Sequence, residues 1–599
     1  MAGQFISLRN MRFVIYELLN AEQITAYPYY SDHTREGFDL VLETAFKIAR
    51  GMLQPSLKPM DEVPPALVDG SVRVNPVVRD FLRECGEGGW ISASASYDWG
   101  GQQLPRIIKA SYSFMFAAAN YSASVYPMLS TAAAHLIENF ASEELKNTYI
   151  PKIFSGEWQG TMAMTEPQAG SSLADITTKA EPTDKDYYTI TGQKIFISGA
   201  DHDGVDNIVN LMLARIKGSP AGVKGLSLFV VPKLRIGNGG LESNDVSTAG
   251  IFHKLGYRGC PILQLSLGEN NDCRGWLIGE PNQGLSYMFQ MMNEARNEVG
   301  IGATGIASAA YYASLQYAKE RPQGRKSKDP STPQVPIIEH ADVKRMLLFQ
   351  KAVVEGSLAL LLQCALYDDY SKVTEGKEQE DYALLLDLLT PVAKSYPSEM
   401  GILCCSQGLQ VLGGYGYCDE FPLEQFYRDC RIHPIHEGTT GIHGMDLLGR
   451  KVTMKNGRAF DLYLKEVEKA IESGGTNPTI APYANRLHEA MELLKSVTES
   501  LKELSRSRGA DFFLADGTLY LEMFGIIATA WQWLRMGMTA AADLENNSSE
   551  TDALFYRGKL QTMKYFFHYE LVKIEGLAKR LVEGDGLTVE TSEDDFYDQ

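Results

Sequence analysis

The stretch from Arg428 to His443 reads R-D-C-R-I-H-P-I-H-E-G-T-T-G-I-H and sets the carboxylate of Glu437 between basic residues and a Gly-Thr-Thr-Gly turn. If the protein takes a proton from a carbon acid, Glu437 is the candidate base. The same Glu-Gly-Thr triplet also closes ordinary loops, with a threonine capping the next helix. A second chemistry is available from the same residues: His433, His436, Glu437 and His443 are types that bind zinc or iron. Pro434 and the glycine turn interrupt any helix that would align those four.

Three further segments carry candidate chemistry. Met162 to Ser172, M-A-M-T-E-P-Q-A-G-S-S, offers backbone N–H groups and small hydroxyls suited to a flat heterocycle or a pyrophosphate. A plain turn of Pro, Gly and Ser reads equally well there. In M-M-N-E-A-R, residues 291 to 296, Arg296 is a clamp for an anionic ligand or else a surface ion pair. The last pairing is a basic loop, Arg321 to Arg325, with the glycine turn Q-V-L-G-G-Y-G at 410 to 416.

The elements that must hold these segments follow from periodicity. From Met11 to about Phe154 the apolar spacing is helical, with Phe38, Leu42, Ala45, Phe46 and Ile48 on one face and a stop at Gly86-Glu-Gly-Gly89. The Ala/Ser/Tyr/Met-rich run Ile107 to Ile137 suits closely packed helices, and Lys109, Asn120 and Pro127 spoil a membrane reading. The pattern then changes to strands. Residues 187 to 198 read as a hairpin around Thr-Gly-Gln, followed by Ile208 to Ile216, Leu226 to Pro232 and Ile262 to Leu267. Helical spacing returns at Leu285, Met288, Phe289 and Met292, and a loop spans 321 to 336. A helix from about Glu339 to Tyr370 and a shorter one from about Pro391 to Leu412, capped by Gly413-Gly414, complete a bundle. Beyond Lys451 a further helical section shows one face of Leu487, Met491, Leu494, Val497, Leu501 and Leu504, and reads as a packing or dimerisation bundle. The last fifteen residues, with six acids and no base, read as a solvated tail.

A chain of 599 residues exceeds one hydrophobic core, so several domains are expected. The divisions are 1–160, helical; 161–284, a β-domain; 285–455, a helical bundle; and 456–599, an extra helical domain. A net charge of -19 argues against a nucleic-acid partner, whose phosphates are bound by clustered lysine and arginine. The start lacks a charged and then apolar leader, and the longest apolar runs, such as Phe524 to Trp531, fall short of a membrane span. Eight cysteines without framework spacing read as reduced thiols of a cytoplasmic protein.

Taken in order on a helix, strand, helix chain, the segments carry a resemblance. M-T-E-P-Q-A-G-S at 164 to 171, G-Q-K-I-F-I-S at 192 to 198, N-E-A-R at 293 to 296, Q-V-L-G-G-Y-G at 410 to 416 and Y-R-D-C-R-I-H-P-I-H-E-G-T at 427 to 439 resemble the flavin-dependent acyl-CoA dehydrogenases. L-R-N-M-R-F-V at 8 to 14, P-I-I-E-H-A-D-V at 336 to 343 and D-L-L-G-R-K at 446 to 451 look like the long bacterial branch that includes 3-methylmercaptopropionyl-CoA dehydrogenase. The implied fold is mainly α: an N-terminal helical domain, a middle β-domain, a C-terminal four-helix bundle and an additional C-terminal helical domain.

The resemblance implies FAD held between the β-domain and the bundle, with a dimer partner completing the site. Met162, Met164, Thr165, Gly170, Ser171, Phe196, Ser198 and Thr439 match flavin-bordering positions, and Arg321, Gln323, Gln410 and Gly414 match those for the pyrophosphate and adenosine. Ser171, Arg296, His436 and Gly438 match positions near the thioester, and Glu437 matches the base. The implied reaction removes an α-proton and passes the β-hydride to the flavin. Its product is a trans-2-enoyl-CoA, and the electrons leave to an electron-transfer flavoprotein from a homodimer or dimer of dimers. Rival outcomes are an acyl-CoA oxidase using oxygen, a metal enzyme, and an FAD-binding protein without turnover. Departures from the family pattern are His436 where many relatives carry tyrosine, Gly441 for a glutamine, a shortened R-P-Q-G loop, and Ala341 for a glutamine.

Overall fold

A computed structural model describes residues 3–546 and 549–598, the side chains of 290 and 291 excepted. The chain forms two compact units: Pro28–Ala295, and Met1–Tyr27 together with Arg296–Gln599.

In the unit Pro28–Ala295, helices α1 (Arg35–Ile48), α2 (Val77–Glu87), α3 (Arg106–Phe140) and α4 (Glu143–Phe154) precede the sheet. Helix α1 buries Phe38, Leu42 and Ala45, and Thr34 caps it by accepting from the Gly37 N–H at 3.1 Å. Helix α3 breaks at Asn120 (φ -163°, ψ 97°), whose side chain accepts from the Ala123 N–H at 3.2 Å and donates to Ser56 Oγ at 2.9 Å. The residue that argued against a membrane is therefore a buried internal cap. Between α1 and α2 lies a short hairpin absent from the helical expectation, β1 (Ala66–Val68) and β2 (Ser71–Arg73). Its two-residue loop is Asp69-Gly70, both with positive φ, the turn that matches strand twist.

The strands that follow are β3 (Trp158–Ala163), β4 (Lys179–Pro182), β5 (Tyr188–Ser198), β6 (Asn207–Ile216), β7 (Leu226–Pro232), β8 (Leu234–Gly237), β9 (Gly240–Ser243), β10 (Val246–Ile251), β11 (Ile262–Leu267) and β12 (Arg274–Ile278). One eight-stranded sheet runs β10-β11-β5-β12-β7-β6-β3, with β4 joined to β5 and β6, while β8 and β9 pair separately. Every residue of β7 and the first eight of β6 are buried, which explains their unbroken apolar runs. Ile190, Ile197, Met212, Phe229, Leu263 and Leu265 share the core.

The hairpin expected at residues 187 to 198 does not form, because that segment is one continuous strand, β5. Thr191 pairs with Lys179 of β4, and Gly192 with Leu267 of β11, so neighbours on both sides satisfy the backbone without a turn. Gly192 is there for space: a Cβ would lie 2.6 Å from Thr178 Oγ1. Further along β5, Ile195 and Phe196 together oppose Gln264, a bulge that puts Phe196 at φ +59° and leaves it 56% exposed.

The second unit is helical. Helix α5 (Gly284–Glu320) leads the chain into it, followed by α6 (Ala341–Val373), α7 (Gly376–Leu412), α8 (Leu423–Cys430) and α9 (Thr440–Asp446). Helix α7 is no short helix from Pro391: it has 37 residues and runs through both Pro391 and Pro397. Proline suggests a helix start, but here burial of Leu384, Leu385, Leu388, Leu389 and Val392 carries the helix across it. Gly413, φ +61°, ends it. Residues 321 to 336 stay non-helical, folded back by Gln323 N–H to Val335 O at 2.9 Å and Val335 N–H to Gly324 O at 3.1 Å.

The C-terminal section comprises α10 (Arg458–Gly475), α11 (Ala481–Arg508), α12 (Gly517–Glu545), α13 (Glu550–Tyr565) and α14 (Ile574–Glu583). It packs on the bundle of its own chain. Trp533 donates to Ala352 O at 2.9 Å, and the buried Lys559 donates to Glu355 at 2.9 Å. By length and composition, Ala341–Val373 and Ala510–Glu545 are apolar enough to cross a membrane, which inspection of short apolar runs misses. Burial of 89% and 61% of their most apolar windows accounts for them as core helices. The acidic terminus through Asp598 is mostly exposed, tied back by Arg508–Glu590 at 2.6 Å; Gln599 lies outside the described residues.

Candidate active site

Glu437 lies in the turn between α8 and α9. Its φ is +53° and that of Gly438 is +92°, two consecutive residues in left-handed backbone. For a glutamate this costs about 1–3 kcal/mol, so the conformation persists only where the surroundings impose it. Four hydrogen bonds do so. The His443 Nε2–H donates to Glu437 O at 3.1 Å, Lys394 Nζ to Gly438 O at 2.7 Å, the Thr440 N–H to Pro434 O at 3.1 Å, and Thr440 Oγ1 to Glu399 at 2.5 Å. A Cβ on Gly438 would lie 2.9 Å from His443 Nε2. Thr439 caps α9, accepting from the Ile442 N–H at 3.4 Å.

The Glu437 side chain is half-buried, but its Oε2 is enclosed and has no hydrogen-bond partner. Burial raises its pKa, and the charges of Arg296 and Lys394 oppose that rise. Its own N–H donates to no protein group among the described residues, leaving a donor beside the carboxylate. Arg296 is no surface pair. It is buried, donates to Asp446 at 3.3 Å and keeps Nε unpartnered. Asp446 also accepts from Arg450 at 2.7 Å, so Arg296 sits in a short chain of alternating charges and acts on Glu437. The His436 ring meets His433 edge-on at 5.4 Å. Burial, with His433 and Lys394, holds His436 neutral, and its Nε2 is enclosed and unpartnered.

The rival metal site does not assemble. No group of three histidine, cysteine, aspartate or glutamate side chains placed to hold a metal ion occurs among the described residues.

Within the unit Pro28–Ala295, Met162 at the end of β3, Met164, Thr165 and Ser198 are half-buried, while Gly170, Ser171 and Phe196 are exposed. Phe196 leans on Phe252 with centroids 4.7 Å apart. Thr165 accepts from the Ile195 N–H at 2.9 Å, and its hydroxyl donates to no described protein group. These are an uncommitted hydroxyl, thioethers and a ring platform on β3, the turn after it and β5, a set that fits a flat heterocycle. Beneath them lies a buried pair missed at the sequence level. Lys194 gives all three N–H bonds away, to Glu166 Oε1 at 2.8 Å, Met164 O at 3.0 Å and Leu213 O at 2.8 Å. Glu166 also accepts from the backbone and hydroxyl groups of Thr177 and Thr178. Burial alone would raise the Glu166 pKa, but Lys194 and these donors hold it down at about 2; burial draws Lys194 down to about 8. The Thr-Glu-Pro turn is thus bolted to β5.

In the second unit, Arg321, Gln323, Gln410 and Gly414 are all exposed. Gln323 O accepts from the His340 Nε2–H at 2.7 Å, which shapes the turn at Gly324, φ +74°. Lys394, which donates to the carbonyl of Gly438 next to Glu437, is fully buried in α7. Its signal in the sequence was a lone lysine in the apolar run P-V-A-K-S-Y.

Four family models match in succession: the acyl-CoA dehydrogenase N-terminal domain over 58–157, its middle domain over 161–269, its C-terminal domain over 282–452, and an acetyl-CoA dehydrogenase C-terminal-like domain over 463–592. A butyryl-CoA dehydrogenase of Syntrophomonas wolfei is 34% identical over 601 residues, covering 98% of each chain. The chain belongs to the acyl-CoA dehydrogenase family. A 3-methylmercaptopropionyl-CoA dehydrogenase of Ruegeria pomeroyi is likewise 34% identical, over 97% of this chain and 98% of its own. Among solved structures, an acyl-CoA dehydrogenase complexed with FAD from Bacillus anthracis superposes with a TM-score of 0.74 at 21% identity, over 95% of this chain and 91% of that one. The acyl-CoA dehydrogenase architecture is therefore present in full: N-terminal helices, middle sheet, helical bundle and an added C-terminal helical domain.

Proposed function

We propose that the protein binds FAD and dehydrogenates an acyl-CoA thioester to the trans-2-enoyl-CoA, with Glu437 as the base. The observation that carries this is the Glu437 carboxylate: its Oε2 enclosed and without a hydrogen-bond partner, its pKa pushed up by burial, and its backbone fixed on a strained turn. A carboxylate in water is too weak to deprotonate a thioester, and removal from water strengthens it. The free N–H of Glu437 is a donor for the thioester oxygen, where negative charge develops.

Thr165, Met162, Met164, Gly170, Ser171, Phe196, Ser198 and Thr439 are assigned to the border of the flavin. Arg321, Gln323, Gln410 and Gly414 would hold its pyrophosphate and adenosine. When bound, the flavin supplies the acceptor for the substrate β-hydride. Ser171, Arg296, His436 and Gly438 are assigned to the substrate, His436 as a neutral, weakly polar ring. We assign the electrons to an electron-transfer flavoprotein and the protein to the cytoplasm as a homodimer or dimer of dimers. The eight free cysteines agree with a reducing compartment.

Anaerobic titration of the FAD-loaded protein with short, long, branched, cyclic and dicarboxylic acyl-CoAs tests the reading. Bleaching of the flavin by one class is expected, and FAD binding without bleaching by any of them would refute it. Comparing turnover with oxygen and with an electron-transfer flavoprotein then separates oxidase from dehydrogenase. Gly438→Ala should slow bleaching by about 10²-fold with flavin content unchanged. The new Cβ meets His443 and displaces the base, and reaction rates are that sensitive to displacements of an ångström.

A further inference from the structure

We infer that Lys394 is a positioning residue for the base: its hydrogen bond to the Gly438 carbonyl holds the Glu437–Gly438 turn, and its ammonium favours the ionised Glu437 carboxylate. The inference rests on the proposed role of Glu437.

Three observations lead to it. Lys394 is 0% exposed, yet Gly438 O at 2.7 Å is its one hydrogen-bond partner among the described residues, so two of its three N–H bonds are unused. It also makes no direct ion pair among those residues. For the fold alone this is a poor choice, because a buried ammonium that is not fully paired costs several kcal/mol and an apolar side chain of the same length would pack at less cost. Second, the carbonyl it holds belongs to the second of two consecutive residues in left-handed backbone, φ +53° and +92°. His443 fixes the first of them through Glu437 O, so the two bonds clamp the turn from both carbonyls.

Third, the groups facing Lys394 make its charge count. Glu437 and Glu399 attract it and Arg296 repels it. The imidazoles of His436 and His443 both feel its charge and are held neutral. Burial draws the lysine pKa to about 7, so the ammonium is present on the acid side of neutrality, where the Glu437 limb is read, and fades above it. Removing the ammonium leaves Glu437 with Arg296 as the remaining cation that acts on it. The carboxylate then protonates more easily and the turn loses one clamp.

The test uses FAD-loaded full-length protein, with pre-steady-state flavin reduction by a bleaching acyl-CoA followed from pH 5 to 9. Lys394→Met should keep its flavin, leave the acyl-CoA KM within about twofold, and unfold at a temperature no lower than the parent. Its reduction rate at pH 6, where the parental Lys394 is charged, should fall by about 30–100-fold, and the acid limb of the profile should move up by about one pH unit. Lys394→Gln, which keeps an N–H donor without the charge, should show the same limb shift with part of the rate recovered. Lys394→Arg should keep the parental limb. Met and Gln variants whose rates and limbs overlie the parent would overturn the inference. If the Met variant fails to fold, an unshifted limb in the Gln variant overturns it equally. A parent that binds FAD but is bleached by no acyl-CoA removes the proposed function and this inference together. A bleached parent with an inert Glu437→Gln and parent-like Lys394 variants removes this inference alone.

Discussion

Glu437→Gln is expected to purify with its flavin, to bind acyl-CoA, and to bleach about 10⁴-fold more slowly than the parent, near the upper end for loss of a general base. Glutamine preserves the volume and the main-chain N–H, so the turn held by His443 and Lys394 is retained. What disappears is a proton acceptor. The parent should show a rate that rises with pH, because a base must be ionised to act. Since burial raises the Glu437 pKa, that rise falls above the range of an ordinary carboxylate, and the variant should lack it. Stopped-flow bleaching across pH decides the matter, and a variant that bleaches at the parental rate would remove Glu437 from the chemistry.

The largest effect on stability is expected from Lys194→Met. The parent pair is 0% and 1% exposed, and the lysine also ties Met164 and Leu213 into one knot. Deleting one partner strands a buried carboxylate, at about 3–5 kcal/mol. In the parent, Glu166 titrates at about 2, below its unfolded value, so its contribution is complete at neutral pH and is lost only as pH falls toward 2. In the variant the carboxylate has lost its cation, its pKa moves above the unfolded value, and the sign reverses. The stability deficit should be greatest at pH 7 and narrow toward pH 5, where the acid can protonate. Glu166→Gln added to Lys194→Met should recover part of the loss. Thermal unfolding of both variants between pH 5 and 7, with flavin release followed in parallel, measures this; an equal deficit at both pH values would refute the stranded carboxylate.

Lys194 and Lys394 share a circumstance that kept them out of the sequence reading. Each is a single lysine in an apolar stretch, and its partner lies far along the chain: 28 residues separate Lys194 from Glu166, and 44 separate Lys394 from Gly438. Nothing local tells such a lysine from one whose stem runs along a surface with its head in water. Arg296 fell to the same ambiguity, since clamp and surface pair were both open until Asp446 was found beside it, 150 residues on. The Asp69-Gly70 turn is a different case, because a known hairpin signal was present and was overridden by the helical pattern around it.

Local chemistry was legible wherever a residue's own torsions or its near neighbours decide the outcome. β7 at Leu226–Pro232 and β11 at Ile262–Leu267 have the bounds their apolar runs imply, and Gly413 stops α7 as a helix-ending glycine should. The motif at Arg428 to His443 likewise marked the one carboxylate worth testing. Where competing neighbours decide, the sequence misled. Two prolines failed to shorten α7 because its buried leucines outweigh them, and Thr191-Gly192-Gln193 failed to turn because β4 and β11 were waiting on either side. By itself, then, the sequence determined the family, the order of helical and strand segments and the identity of the candidate base. The tertiary structure alone decided that Glu437 sits in left-handed backbone beside two buried cations, because desolvation and charge depend on what folding brings near and no local pattern encodes that.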